Sequence, residues 1–178
     1  MADPVVQSLA AGRVKLLQSA TMPEGDPKAL TLAEVEKMLD ISCRVSKETK
    51  LGPTGEDTVS EGALCDEFDP EVPTRAKYDN NQIVPFRYFR DGKPEPTSTT
   101  GGEIGDAAFQ AVAEIGATVF YFKRHTSKKS NEPLATGDPY LLMEVLTGQV
   151  QESEYEGYMK NPCNVFPKRV WRGVIAGA

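Results

Sequence analysis

The sequence predicts a mostly β protein with a flanking helix, an α+β chain whose strands pair mainly with their neighbours in antiparallel order. Two observations lead to this prediction. Short runs of β-branched and aromatic residues recur along the chain, and Gly- and Pro-containing turns separate them. One amphipathic helix also leads directly into such a run between residues 105 and 124. In all, the patterns predict roughly six to eight strands and two helices.

The stretch 105–124 has the clearest local pattern. Asp106 is a good N-cap residue and Gly116 a suitable stop, which predicts a helix of about ten residues over 107–115. From Thr118 to Arg124 the sequence turns β-branched and aromatic, as in a largely buried strand. The helix is therefore expected to lie against a sheet. Its predicted apolar face consists of Ala108, Phe109, Val112, Ala113 and Ile115.

Three elements are predicted before residue 47. Alternation predicts a strand over 12–21, although consecutive leucines blur it. Thr31 and Glu34 form a capping box that predicts a helix over 32–39. Alternation then returns in residues 41–46, which predicts a second strand directly after that helix.

Two segments carry little core material. Residues 47–74 are rich in Gly, Pro and acidic residues, with only a brief helical pattern near Thr58, so we interpret this long excursion as a candidate intersubunit element. Residues 82–89 predict a strand or strand pair in which Pro85 implies an edge or a bulge. Residues 91–104 are polar and predict a surface loop.

The final third of the chain predicts three further strands, over 139–145, 155–160 and 168–175. No internal repeat or domain linker is visible, and 178 residues can form one sizeable core. We therefore expect a single domain over residues 1–178, with the excursion at 47–74 and the polar loop at 91–104.

Charge and composition exclude several functions. The net charge is −6 and the isoelectric point is near 4.9, which disfavours free nucleic-acid binding. The sequence shows no signal-peptide pattern and no apolar run long enough for a membrane span, so the expected location is the cytosol. Cys43, Cys65 and Cys163 lack paired spacing, which predicts reduced cysteines with packing roles.

Catalytic chemistry finds little support. His125 is the only histidine and lies in a Lys-rich loop outside any nucleophile motif, so a hydrolase is a distant alternative. The acidic run 66–71 lacks the spacing and glycine of a calcium loop. We predict no enzyme activity and no catalytic, cofactor or metal site.

Charged clusters are the remaining candidates for function. In a strand, Glu152, Glu154 and Glu156 would project from one face, which suits a wet edge or a basic partner. A basic cluster surrounds His125 and could meet an acidic loop of a neighbouring copy. Its members are Lys123, Arg124, Lys128 and Lys129.

The order of several short motifs resembles the major tail tube protein of long-tailed bacteriophages, especially those infecting actinobacteria. The resemblance covers most of the chain, but the insertion at 94–102 and the tail after Gly148 depart from it. The motifs are DISCRV (40–45), GEDTVSEGALC (55–65), IVPFRYF (83–89), DAAFQAVAEIGATVFYFKR (106–124) and LATGDPYLLMEV (134–145).

This resemblance implies an antiparallel β-sandwich or barrel that forms six-membered rings. The rings would stack into a hollow tube that conducts the genome out of the virion, and double-stranded DNA would pass through without specific binding. Implied partners are further copies and the tape measure, terminator and baseplate proteins; assembly would occur in the host cytoplasm. The excursion would reach an adjacent copy, which adds Glu56 and Asp57 to the assembly candidates. A monomeric β-sandwich binding module and a tail-terminator or completion ring protein remain alternatives.

Overall fold

The computed structural model describes residues 12–60, 71–90, 92–94, 105–152 and 157–177. Strand accounts for 43% of the described residues and helix for 6%, which confirms the mostly β prediction. The helices are α1 (Leu32–Val35) and α2 (Ala107–Gln110). The strands are β1 (Val14–Ser19), β2 (Leu39–Asp40), β3 (Gly55–Ser60), β4 (Glu71–Lys77), β5 (Gln82–Ile83), β6 (Phe89–Arg90), β7 (Lys93–Pro94), β8 (Thr118–His125), β9 (Pro139–Val150) and β10 (Cys163–Val174).

Six strands form one sheet in the order β2-β1-β8-β9-β10-β5, and every neighbouring pair is antiparallel. The sheet curls into an open half-barrel, as expected for the tail tube type of fold. Two register shifts interrupt the pairing of β9 with β10, one between Pro167 and Arg169. Such bulges increase the local twist of a sheet.

The sheet buries both of its faces, which explains why its central strands are apolar at consecutive positions. In β8, Val119 and Tyr121 enter one core with α2, while Phe120 and Phe122 enter a second core with α1. Val112 is fully buried in the first of these cores, as predicted. A helix and nearby loops therefore cover each face.

Both helices are shorter than predicted, because the residues that follow them form backbone hydrogen bonds with strands of the sheet. The first ends at Val35, since residues 39–40 pair with β1. The second ends at Gln110, since the backbone N–H of Gly116 bonds to the carbonyl of Thr147 in β9, 2.8 Å away. The prediction that Ile115 lies on the buried face was wrong, because 69% of its surface is exposed.

The strand predicted over 41–46 was also wrong. Asp40 accepts hydrogen bonds from the backbone N–H and hydroxyl of Ser42, at 3.0 and 2.6 Å, and the chain turns away from the sheet. Cys43 is consequently exposed rather than packed, whereas Cys163 is buried as predicted. Cys65 lies outside the described residues.

The other strands follow the predictions with shifted bounds. The pattern over 82–89 yields β5 and β6 with single bridges at Pro85 and Phe86 between them, as the proline implied. The strands predicted from 139 and from 168 are longer than expected and become β9 and β10. The strand predicted over 155–160 is reduced to a single bridge at Lys160, while residues 153–156 lie outside the described part.

The two segments predicted to lack regular structure contain short hairpins. Within 47–74 lies β3, together with the start of β4, so the helical pattern near Thr58 was wrong. Two residues of the polar loop 91–104 form β7, which pairs with β6. Residues 61–70, 91 and 95–104 are not among those described.

Gly173 is required by close packing between β10 and the loop before α1. A Cβ atom at this position would overlap the carbonyl oxygen of Lys28 and would come within 2.6 Å of the Tyr140 hydroxyl. That hydroxyl is held in place, because it donates to Pro27 and accepts from the backbone N–H of Leu30. The neighbours therefore cannot move aside without breaking these bonds.

We expect Gly173→Ala to lower the free energy of unfolding by about 1–3 kcal/mol, the usual cost of overpacking. Thermal and denaturant unfolding followed by circular dichroism would measure it. Gly55→Ala is a matched control, since its Cβ would meet no atom within 4 Å. Equal stability of the two variants would show that the Gly173 contact is not tight.

Candidate assembly surfaces

Strands β3 and β4 form a two-stranded ribbon that is separate from the main sheet. Its ladder runs from the pair Gly55 and Lys77 to the pair Ser60 and Glu71, a length of about 20 Å. Thr54 fixes the root, because its backbone N–H bonds to the Lys77 carbonyl at 2.7 Å. We call this element the ribbon, and we call residues 61–70, which join its strands at the far end, the tip.

The ribbon and tip are strongly acidic. Residues 56–71 contain seven acidic residues and no lysine or arginine, so this short segment holds over a quarter of the acidic residues of the chain. Isolated two-stranded ribbons are marginally stable and gain stability from packing against another surface. The predicted assembly residues Glu56 and Asp57 both lie in β3, and the Glu56 side chain is exposed. The ribbon is thus a candidate contact with a second chain.

In the part of the chain that the structure describes, the main sheet has two open edges of different structure. On one side β5 pairs with β10 only at Cys163 and Asn164, so most of β10 has no neighbour in the described part of the chain. On the other side, β2 pairs with β1 only at Leu17 and Gln18. The β10 edge also carries Pro167 and several basic residues, which discourage random strand pairing.

A shallow groove of about 480 Å³ lies beside the root of the ribbon. Lys123 of β8 and Arg172 of β10 both pair with Leu141 of β9, so all three side chains share one face of the sheet. Leu51 and Pro53 also line the groove, and none of the described residues that line it is acidic. We call this site the basic groove.

The two cations of the basic groove differ in their surroundings. Lys123 is partly buried and donates to the carbonyl of Leu51 at 2.7 Å, and burial lowers the pKa of its ammonium. Arg172 is exposed, and no ion pair to it is found among the described residues. His125 lies at the exposed end of β8 and also lines this site. Only Lys123 of this trio belonged to the predicted basic cluster.

The predicted basic cluster is divided by the fold. Arg124 is fully buried on the other face of the sheet, where it donates to the carbonyls of Lys129 and Pro133. Its guanidinium lies 3.5 Å from Asp138, and Lys128 lies 2.6 Å from the same carboxylate. Arg124 therefore holds the loop after β8 in place through buried hydrogen bonds, and its charge is not exposed on the surface.

Asp138 is the common partner of this loop. Burial alone raises the pKa of its carboxyl group, but the hydrogen bonds from Lys128 and Ala135, with the charges of Lys128 and Arg124, hold the pKa below its ordinary value. The loop is thereby closed by an ionised carboxylate. Lys129 is exposed and is the cluster member left facing solvent, where it remains an assembly candidate.

The structure describes only part of the predicted acidic row. Glu152 is exposed and lies just beyond the end of β9. Glu154 and Glu156 lie outside the described residues. The prediction that the three glutamates face the lumen or a neighbouring ring stays a prediction.

A buried ion pair that the sequence did not reveal supports the start of α2. Asp106 is fully buried and accepts from Nε and Nη2 of Arg87, at 3.2 and 3.1 Å, and from the backbone N–H of Tyr88. The predicted side-chain capping role of Asp106 was therefore wrong, although the helix does begin directly after it. The Arg87 guanidinium also stacks 3.6 Å from the centre of the Phe109 ring.

This ion pair lies next to exposed aromatic side chains. Phe89 is 44% exposed, and Tyr158 is 83% exposed and meets Phe86 edge to face. The backbone N–H of Arg87 bonds to the carbonyl of Met159 at 2.9 Å, which joins the two segments. Large exposed aromatic groups are typical of contact surfaces. The aromatic run in 83–89 was the signal that could have identified this surface.

The described residues contain neither a membrane-spanning helix nor a cluster of metal ligands. No helix there is long and apolar enough to cross a bilayer. The same residues contain no group of three or more His, Cys, Asp or Glu side chains placed to hold a metal ion. The described residues therefore offer four candidate contact surfaces: an acidic ribbon, a basic groove, two open sheet edges and an aromatic patch.

Comparison with known protein families identifies the family of the chain. A family model described as phage tail tube protein matches residues 1–176. The chain belongs to the phage tail tube protein family. A search of curated proteins gives no match. The tail tube family is structural rather than enzymatic, so the chain is a component of the virion tail that assembles with other tail proteins in a tube. The actinobacterial host group stays a prediction.

Proposed function

We propose that the chain forms six-membered rings that stack into the hollow tail tube through which the phage genome is ejected. The observation that best supports this proposal is the pair of unlike open edges of the main sheet. When two different surfaces of one protein bind each other, the contact is head-to-tail and generates a ring if the rotation closes. Pairing of the β10 edge with the β1 and β2 edge of the next copy would continue one sheet around the ring.

The charge of the chain suits a DNA conduit. Six copies at −6 give 6 × (−6) = −36 for each ring. A cationic lumen would bind phosphates by counterion release and retard the duplex, whereas an acidic lumen repels them. We propose Glu152, Glu154 and Glu156 as lumenal or ring-to-ring residues. A solved tube with all three on its outer wall would contradict that assignment.

We further propose that the ribbon is the element that reaches an adjacent copy. In the described part of the chain its two strands pair with each other and not with the main sheet. Its acidic charge and its length of about 20 Å suit a projecting arm. In this proposal residues 1–178 form a single domain, which provides both the sheet edges that close the ring and the ribbon that reaches the adjacent copy.

Negative-stain electron microscopy of the purified chain over a range of concentrations tests the proposed assembly. We expect rings and tubes at raised concentration, and sedimentation velocity should show a matching loss of the monomer. Single rings that never stack would instead favour a terminator or completion ring protein. A monomer at every concentration would contradict ring formation and favour a binding module.

A further inference from the structure

We infer that the basic groove of one copy is the docking site for the acidic ribbon tip of a second copy. This inference rests on the proposed assembly and specifies one of its contacts. Lys123 and Arg172 would meet carboxylates of the tip, which contains Asp66, Glu67 and Asp69. The partner is therefore another copy of this chain, recognised by opposite charge.

The geometry of the groove favours an acidic occupant. Lys123 and Arg172 lie on strands that flank β9, so they are about 10 Å apart across Leu141. A carboxylate placed over Leu141 would lie between two cations. A partly buried ammonium without a counter-charge is costly, and Lys123 has a single carbonyl partner at 2.7 Å, so an incoming carboxylate would stabilise it.

The apolar walls of the groove match the composition of the tip. Leu51, Pro53 and Leu141 line the groove beside the two cations. The tip carries Leu64 and also Phe68, which stands between Glu67 and Asp69. An apolar residue between acidic ones can fill such a groove while its neighbours meet the basic side chains.

The ribbon begins beside the groove of its own chain. Its root starts at Thr54, next to Pro53 of the groove, and the ladder holds β3 and β4 together over about 20 Å, as far as Ser60 and Glu71. A ribbon of this length suits contact with a second copy, and because the tip and the groove are different surfaces such a contact is head-to-tail.

Charge reversal with rescue tests the inference. We expect Arg172→Glu to raise the concentration for half-maximal tube formation about tenfold or more, because like charges would then face each other. Reversal of the tip by Asp66→Lys, Glu67→Lys and Asp69→Lys should have a similar effect. Combining both sets should restore assembly. Lys37→Glu is the matched control, since Lys37 is 70% exposed and lies outside the groove.

Each outcome decides a specific point. If the native chain forms tubes and both reversals assemble like the control, the docking inference is wrong and the tube proposal stands. If each reversal blocks assembly but their combination does not restore it, the pairing of tip with groove is wrong. If the native chain forms neither rings nor tubes, the tube proposal fails and the docking inference fails with it. Circular dichroism and thermal unfolding should show that every variant is folded.

A cysteine experiment tests the contact without relying on charge. Cys65 lies in the tip beside Asp66, so Arg172→Cys would place a second thiol in the groove of the next copy. Mild oxidation of assembled protein should then give an intermolecular disulfide between position 172 and Cys65, identified by peptide mass spectrometry. The variant Arg172→Cys/Cys65→Ser should lose this product. Crosslinks from position 172 only to Cys43 would overturn the inference.

Discussion

Replacing residues 56–76 by an Asn-Gly turn between Gly55 and Lys77 is expected to give a folded monomer that forms no tubes. Gly55 and Lys77 face each other across the first pair of the ribbon ladder, so a two-residue turn can join them where they stand. The hydrogen bond from Thr54 to Lys77 at the root would remain. The change removes the whole ribbon and leaves the six-stranded sheet complete.

The fold should survive because the ribbon is a separate two-stranded sheet, and the six-stranded main sheet keeps all of its strands. Assembly should fail because, in our proposal, the ribbon is the arm that reaches the next copy. Thermal unfolding should show a cooperative transition, and electron microscopy should show no tubes at concentrations where the native chain forms them.

A second variant distinguishes the contribution of the ribbon strands from that of the acidic tip. Replacing only residues 61–70 by a Gly-Ser segment of equal length keeps β3 and β4 but removes the acidic tip. If the ribbon acts through its tip, both variants should stay monomeric. Normal tubes from the variant that lacks residues 56–76 would contradict the role proposed for the ribbon.

Asp106→Ala is expected to lower the free energy of unfolding by about 3–5 kcal/mol, the usual cost of breaking a buried ion pair. The change leaves the Arg87 guanidinium, which is only 13% exposed, without its counter-charge. It also removes the acceptor of the Tyr88 backbone N–H. For a chain of this length the melting temperature should fall by about 2–4 °C for each kcal/mol.

Two controls identify the cause. Glu24→Ala removes an exposed ion pair to Lys37, 3.6 Å long, and should change stability by less than about 1 kcal/mol. The double variant Arg87→Met/Asp106→Leu should lose less stability than Asp106→Ala, because no unpaired charge stays buried. If Asp106→Ala unfolds like the Glu24 control, the pair does not support the fold in the way its burial indicates.

Local pattern alone was sufficient for several elements. The capping box before α1 is present in part, since Glu34 accepts from the backbone N–H of Thr31 at 2.7 Å. The apolar run that became β8 and the apolar face that places Val112 in the core were also predicted correctly. In each of these cases the pattern depends on residues within a few positions of one another.

The charged residues of the assembly surfaces were much harder to predict. Lys123 and Arg124 are adjacent in sequence, yet they point to opposite faces of the sheet and only Lys123 reaches the basic groove. Arg172 was not among the residues predicted from the sequence, because the role that we propose for it depends on Lys123, which lies two strands away in the sheet. Asp106 matched a capping pattern, but its carboxylate accepts hydrogen bonds from Arg87, which lies 19 residues earlier in the chain.

Hydrophobic periodicity and turn residues act locally, so they were enough to predict the mostly β class and most strands of the main sheet, while the order of motifs indicated the family. The open edges of the described sheet, the cations that face solvent and the start of the acidic ribbon became visible only in the folded chain. These properties depend on strand order and register, and a single strand cannot specify its neighbours. The surfaces that we propose for tube assembly are therefore set by contacts between residues far apart in the chain.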